Sequence, residues 1–71
     1  MHKYNLLDVV VLLQDIPEDG LQRGNVGTLV EILGEDAWEV EFVDDRGYTY
    51  GLLALRESQM LALIKVPRVA R

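Results

Sequence analysis

The sequence predicts a small all-β domain, because short runs of β-branched and aromatic residues recur along its 71 residues between turn-forming segments. No helical periodicity is sustained over a long stretch. The elements follow the order strand, long loop, hairpin, hairpin, short turn and strand, which is the order of a five-stranded SH3-like barrel. We expect residues 1–66 to form this single domain and residues 67–71 a short C-terminal tail.

The first two strands are predicted over residues 8–14 and 25–33. The first contains three consecutive valines and is apolar on both faces. Such a strand is either buried on both sides or exposes one side to another chain. A long loop over residues 15–24 joins the two strands, and Gly27 inside the second indicates a bulge or a close approach of backbones.

The third strand, residues 37–43, is the clearest element, because apolar and acidic side chains alternate along it. This period of two places Trp38 and two further apolar residues inward and Glu39 and Glu41 toward water. The segment Asp44–Asp45–Arg46–Gly47 that follows is typical of a type I turn closed by a glycine.

The last two strands are predicted over residues 48–55 and 60–66, joined by a short polar 3₁₀ turn. The alternative is an antiparallel sheet with one short C-terminal helix over residues 57–64, where methionine, leucine and alanine favour helix.

The charge is distributed unevenly, and this distribution limits the partners that can be expected. All twelve acidic residues lie between Asp8 and Glu57, where three arginines oppose them and leave a charge of −9. An acidic body repels phosphate, so the charge disfavours nucleic acid as a partner and favours a basic protein surface. No apolar run is long enough to span a bilayer, and there is no cysteine. We therefore expect a soluble, cytoplasmic protein.

The residue types that carry catalysis are scarce. Ser58 is the one serine and His2 the one histidine, so a catalytic triad is not expected. No phosphate-binding loop, dinucleotide fingerprint or zinc-ligand spacing occurs, and the carboxylates lack the spacing of a calcium loop. We expect no enzyme activity, no metal and no cofactor.

One segment resembles a known family. Residues 21–31, with the run Arg-Gly-Asn-Val-Gly-Thr-Leu-Val-Glu, and residues 38–44 resemble short bacterial proteins, common in cyanobacteria, that are catalogued only as a domain of unknown function. The similarity covers about residues 6–61 and excludes the tail from residue 65 onward. It implies an SH3-like fold and an accessory or antitoxin-like role beside another small protein, and it implies no catalytic residues.

A second, shorter similarity suggests an alternative function. Residues 24–30 resemble the KOW motif of ribosomal and transcription-elongation proteins, in which a glycine-bounded turn contacts RNA or protein. Of the basic residues that would hold RNA, only Arg23 is nearby. We therefore expect a non-catalytic protein-interaction module, with a KOW-like nucleic-acid-associated module as the alternative.

Four residues are candidates for contact with a partner. Glu39 and Glu41 share the outer face of one strand and could bind arginines of a partner protein. Tyr48 and Tyr50 alternate onto one face and could line a groove for a peptide or a methylated side chain. The alternative for the tyrosines, which we favour, is that one or both of them cover the small core.

Four further residues are candidates for self-association. The first and last strands are apolar on both faces, and their side chains cannot all fit inside one small barrel. We therefore predict a homodimer that uses Val10, Leu12, Leu61 and Leu63.

Overall fold

The computed structural model describes residues 3–64. The predicted end of the last strand at residues 65–66 and the predicted tail at 67–71 lie outside the described residues. Within them the chain forms five strands and two short 3₁₀ helices. The strands are β1 (Val9–Leu12), β2 (Val26–Ile32), β3 (Ala37–Val43), β4 (Thr49–Arg56) and β5 (Met60–Ile64), and the 3₁₀ helices cover Pro17–Asp19 and Glu57–Gln59.

All five strands belong to one antiparallel sheet in the order β4-β3-β2-β1-β5. This arrangement confirms the predicted all-β fold with five strands. The sheet is SH3-like in its strand order, and its two edge strands, β4 and β5, are not paired with each other in residues 3–64. The alternative with a C-terminal helix is wrong, because residues 57–59 form one 3₁₀ turn that leads directly into β5.

The core lies on the inner face of the sheet, and β3 contributes its centre. Trp38, Val40 and Phe42 are completely buried, as the alternation along this strand predicts. The remaining core residues come from every other strand and from the first loop: Tyr4, Val10, Leu12, Ile16, Leu21, Leu29, Leu55 and Met60. The indole N–H of Trp38 donates a hydrogen bond of 2.8 Å to the carboxylate of Glu57, so this buried donor is satisfied.

Gly27 lies where β2 crosses the core, and the prediction of a close backbone approach is correct. A Cβ atom at this position would stand 2.7 Å from Cγ1 of Val40 and 2.9 Å from Cε1 of Phe42. The irregularity of β2 lies elsewhere, between Leu29 and Glu31, where Val30 is an extra residue in the pairing with β3.

The connections follow the predicted turn chemistry. In the β3–β4 hairpin, Gly47 donates a hydrogen bond to the carbonyl of Asp44 and has φ of 88°, a conformation that suits glycine. In the first loop, Ile16 and Leu21 form an isolated antiparallel bridge around the 3₁₀ helix, and both side chains are buried. This long loop is therefore packed onto the core through its own side chains.

The segment before β1 is also part of the fold. The hydroxyl of Tyr4 donates to the carbonyl of Met60 at 3.3 Å, which connects this segment to β5. Asp8 is completely buried, and its carboxylate accepts the N–H of Asn5 at 2.9 Å. A buried carboxylate is tolerated where backbone donors satisfy it.

Candidate interaction surface

The face of the sheet opposite the core is called the outer face here, and it carries Glu39 and Glu41 as predicted. Residues directly opposite each other in an antiparallel pair lie on the same face. Glu41 pairs with Thr28 on one side and Leu52 on the other, so all three lie on the outer face. In the same way Glu39 lies between Glu31 and Ala54.

Glu31 and Glu39 are therefore direct cross-strand neighbours of like charge. Their Cβ atoms are expected about 5 Å apart, and such a pair destabilises a sheet. Neither carboxylate forms an ion pair with any residue between 3 and 64. We call Glu31, Glu39 and Glu41 the acidic patch.

Glu41 is held in place more firmly than the other two carboxylates. The hydroxyl of Thr49 on β4 donates a hydrogen bond of 2.6 Å to its Oε2 atom. The second carboxylate oxygen has lone pairs free to accept from a cationic partner. The side chain is half-buried, so an incoming arginine would meet an oriented acceptor.

An apolar row adjoins the acidic patch on the same outer face. Val11 on β1 pairs with Val26 on β2 and with Leu61 on β5, so these three side chains form a cross-strand row. Leu61 is 55% exposed and Val26 is 45% exposed. Val43, two residues after Glu41 on the same face of β3, is exposed as well. Exposed apolar surface rimmed by charge is typical of interaction sites.

The two tyrosines have different surroundings. Tyr48 precedes β4 in the hairpin and is 69% exposed, with its N–H bound to the carboxylate of Asp44. Tyr50 packs at a tilt against Phe42, with ring centroids 6.2 Å apart. Tyr50 therefore covers the edge of the core, as the favoured alternative predicts for it, and Tyr48 extends into solvent.

The structure corrects two of the four residues predicted for self-association. Val10 and Leu12 are completely buried in the core of their own chain, so they are not accessible to a second copy. The residues of β1 that face outward are Val9 and Val11, because they have the opposite parity in the strand. Leu61 and Leu63 are exposed, and their part in a dimer stays a prediction.

Glu31 is a member of the acidic patch that the alternation of the sequence did not predict. The N–H of Leu33 donates to the carbonyl of Ala37 across the loop at residues 34–36, and this pair sets the register of the hairpin between β2 and β3. Counting two residues back and two forward from that pair places Glu31 opposite Glu39. The length of the hairpin loop was the available signal.

The described residues offer little to a metal or a small ligand. No group of three or more potential metal-binding side chains occurs within residues 3–64. A shallow cleft of about 310 Å³ lies in the first loop and is lined by Asp15, Pro17, Gly20, Leu21 and Gln22. The carboxylate of Asp15 is already bound to the N–H of Arg23 in that loop. No helix in the described part of the chain has the length and hydrophobicity needed to cross a membrane.

The sheet order, the two 3₁₀ turns and the open outer face define a small all-β domain of the SH3-like class. The family model described as "Domain of unknown function (DUF4926)" matches residues 6–62, which is most of the chain, and the chain belongs to this family. No curated protein and no solved structure matches the chain. The family predicted from the sequence is thus confirmed as one of unknown function, and its bacterial setting and signature stay predictions.

Proposed function

We propose that this domain is a non-catalytic protein-interaction module that binds a basic protein partner through its outer face. The observation that carries the proposal is the pairing of Glu31 with Glu39 beside Glu41. Like charges placed directly opposite each other cost free energy in the isolated domain. An arginine or lysine of a partner would relieve that repulsion and form charge-assisted hydrogen bonds.

The apolar row supports the same proposal. Charge alone gives an exposed site little affinity, because exposed ion pairs contribute about 0–1 kcal/mol. Burial of apolar area contributes about 25 cal/mol per Å², and Leu61, Val11 and Val26 supply such area next to the carboxylates. A partner that presents basic residues beside an apolar patch fits both features.

The similarity to small bacterial proteins found beside other small proteins supports a more specific role. In this role the domain is the accessory or antitoxin-like member of a two-protein system in the bacterial cytoplasm. The acidic patch would then neutralise or anchor a basic surface of the second protein. No step of this role requires a reaction at the domain itself.

The test is recovery of the partner from the native host with tagged wild-type and variant proteins. We expect the wild type to recover one protein in a stoichiometric amount and Glu39→Lys to lose it. Glu35→Lys is the matched control, because it changes the net charge equally in an exposed hairpin residue outside the acidic patch.

Two outcomes would count against the proposal. If wild type and Glu39→Lys recover the same protein equally, the acidic patch is not the binding site. If no partner is recovered, and RNA or DNA binds at low salt and dissociates as salt is added, the KOW-like alternative is favoured.

A further inference from the structure

The edge strand β4 has one side without a hydrogen-bonding partner in the described structure. It pairs with β3 alone, although its eight residues make it the longest strand within residues 3–64. Alternate residues of an edge strand direct their N–H and C=O groups away from the sheet. Among the backbone groups of β4 on that side, the N–H of Arg56 is bound by the side chain of Gln59. The groups between Tyr50 and Leu55 have no such partner within residues 3–64.

The usual protections of an edge strand are absent from the middle of β4, between Gly51 and Leu55. Such strands are commonly kept from pairing by charged residues, proline, bulges or short length. Residues 49–55 include neither a charged residue nor a proline. Pairing with β3 is regular from Gly51 to Arg56, and the one irregularity lies at the Tyr50 end.

The other edge strand, β5, is better protected within residues 60–64. Leu63 is an extra residue in its pairing with β1, so this part of the strand is irregular. The hydroxyl of Tyr4 donates to the carbonyl of Met60 and so occupies one of its backbone acceptors. An irregularity of this kind disfavours the addition of a further strand.

We infer that β4 of one copy pairs antiparallel with β4 of a second copy, so that the two sheets join into one. A twofold axis perpendicular to the sheet keeps both outer faces on the same side. Residues directly opposite each other must then share a face, which pairs Leu52 with Leu52 of the second copy. Leu52 is 56% exposed in the single chain and would be covered in the dimer.

Charge complementarity at the ends of β4 supports this register. With Leu52 at the axis, the Arg56 end of one β4 lies against the Thr49 end of the other, next to the β3–β4 hairpin that begins before it. The N–H of Tyr48 is bound to the carboxylate of Asp44, so the β3–β4 hairpin of the other copy brings Asp44 and Asp45 close to the guanidinium. The twofold axis repeats this contact, so each dimer gains two such charge pairs.

The joined sheet would present two acidic patches on the same side. If the proposed function holds, the dimer is therefore bivalent for a partner, and this consequence alone depends on that proposal. The dimer itself is tested with the purified protein, so its failure and the failure of partner binding are separate results.

Sedimentation equilibrium tests the dimer with two matched variants, Leu52→Lys on β4 and Leu63→Lys on β5. The two leucines are 56% and 54% exposed, so the substitutions remove similar apolar area and add the same charge. We expect a wild-type dimer at high micromolar concentration. Leu52→Lys should raise its dissociation constant at least about tenfold, because the two introduced ammonium groups repel each other across the axis. Leu63→Lys should leave the constant unchanged.

A charge exchange tests the register. Arg56→Glu and Asp45→Arg should each weaken the dimer, and the double variant should restore much of the lost affinity. Hydrogen exchange on the wild type gives a readout without substitution: dilution should expose the amides of Leu52 and Ala54, which face away from β3 as Arg56 does, and leave those of β5 unchanged.

A wild-type monomer at high micromolar concentration would overturn the inference. Loss of the dimer in Leu63→Lys with retention in Leu52→Lys would assign the interface to β5, where the sequence predicts it. Equal losses in both variants would indicate unspecific apolar association and would also overturn the β4 interface.

Discussion

Replacement of Gly27 by alanine tests whether the closeness of β2 to the core sets the stability of the domain. The new Cβ would stand 2.7 Å from Cγ1 of Val40 and 2.9 Å from Cε1 of Phe42. Both of those side chains are completely buried and cannot move outward. Overpacking of this kind costs about 1–3 kcal/mol. Alanine also restricts the unfolded chain more than glycine does, which stabilises the folded state by about 0.4–1 kcal/mol.

Subtracting the second range from the first leaves a net loss for Gly27→Ala of about 0–2.6 kcal/mol, centred on about 1.3 kcal/mol. In a domain of this size the central value lowers Tm by roughly 5–10 °C. Urea unfolding followed by fluorescence measures the change, since Trp38 is the one tryptophan and is fully buried. The slope of the free energy against urea should not change.

Gly34→Ala is the matched control for this experiment. A Cβ at Gly34 would have the Cβ of Ala37 as its nearest neighbour at 3.8 Å, an ordinary contact. We expect this variant to be as stable as the wild type or more stable by up to about 1 kcal/mol. If Gly27→Ala is as stable as the wild type, or if both variants lose equally, the argument from close approach is refuted.

Three further predictions concern single interactions. Glu57→Ala should lower the free energy of unfolding by about 1.5–3 kcal/mol, because the buried N–H of Trp38 loses a charged acceptor. Glu57→Gln should cost less, because the amide oxygen can still accept. A similar loss in both variants would contradict a role for this hydrogen bond. Glu31→Lys should raise the free energy of unfolding by about 0.2–1 kcal/mol, because it replaces repulsion of Glu39 by attraction. A gain that does not shrink with added salt would exclude an electrostatic cause. Tyr4→Phe should lower the free energy of unfolding by about 0.5–1.5 kcal/mol, near the lower end because the hydrogen bond to Met60 is long. An unchanged midpoint of urea unfolding would show that this bond contributes nothing.

The sequence predicts β3 correctly because its two faces differ in chemistry. Apolar residues alternate with glutamates over residues 37–43, and the observed strand has those same limits. The turn at residues 44–47 is equally predictable, since Gly47 supplies the positive φ that closes it. Elements with a strong local pattern can be assigned without knowledge of their neighbours.

The sequence could not assign the faces of β1, because both are apolar. Val10 and Leu12 point to the core, and Val9 and Val11 point outward, as the pairing with β2 and β5 determines. In a strand of uniform chemistry only the register of the neighbouring strands selects the inner face. This is why the predicted self-association surface included two residues of the core.

The pattern of the sequence also could not predict hydrogen bonds between distant segments. The hydrogen bond from Trp38 to Glu57 joins β3 to a 3₁₀ turn, and that from Tyr4 to Met60 joins the first described residues to the last strand. Neither contact has a local signature. The acidic patch could be predicted in part. The outward positions of Glu39 and Glu41 follow from the alternation along β3, whereas the position of Glu31 requires the register of the β2–β3 hairpin.

The pairing of β1 with β5 means that one edge of β1 is covered only when the last described strand is added to the sheet. These two strands are neighbours in the sheet although most of the described chain separates them in sequence. Contacts that close so long a loop form late, after the local hairpins β2–β3 and β3–β4. A chain emerging from the ribosome therefore holds β1 with one bare edge until Met60 and the residues after it have been made. Until then its run of three valines is open to chaperones, proteases and other nascent chains, so the domain stays vulnerable until its last described strand has been added.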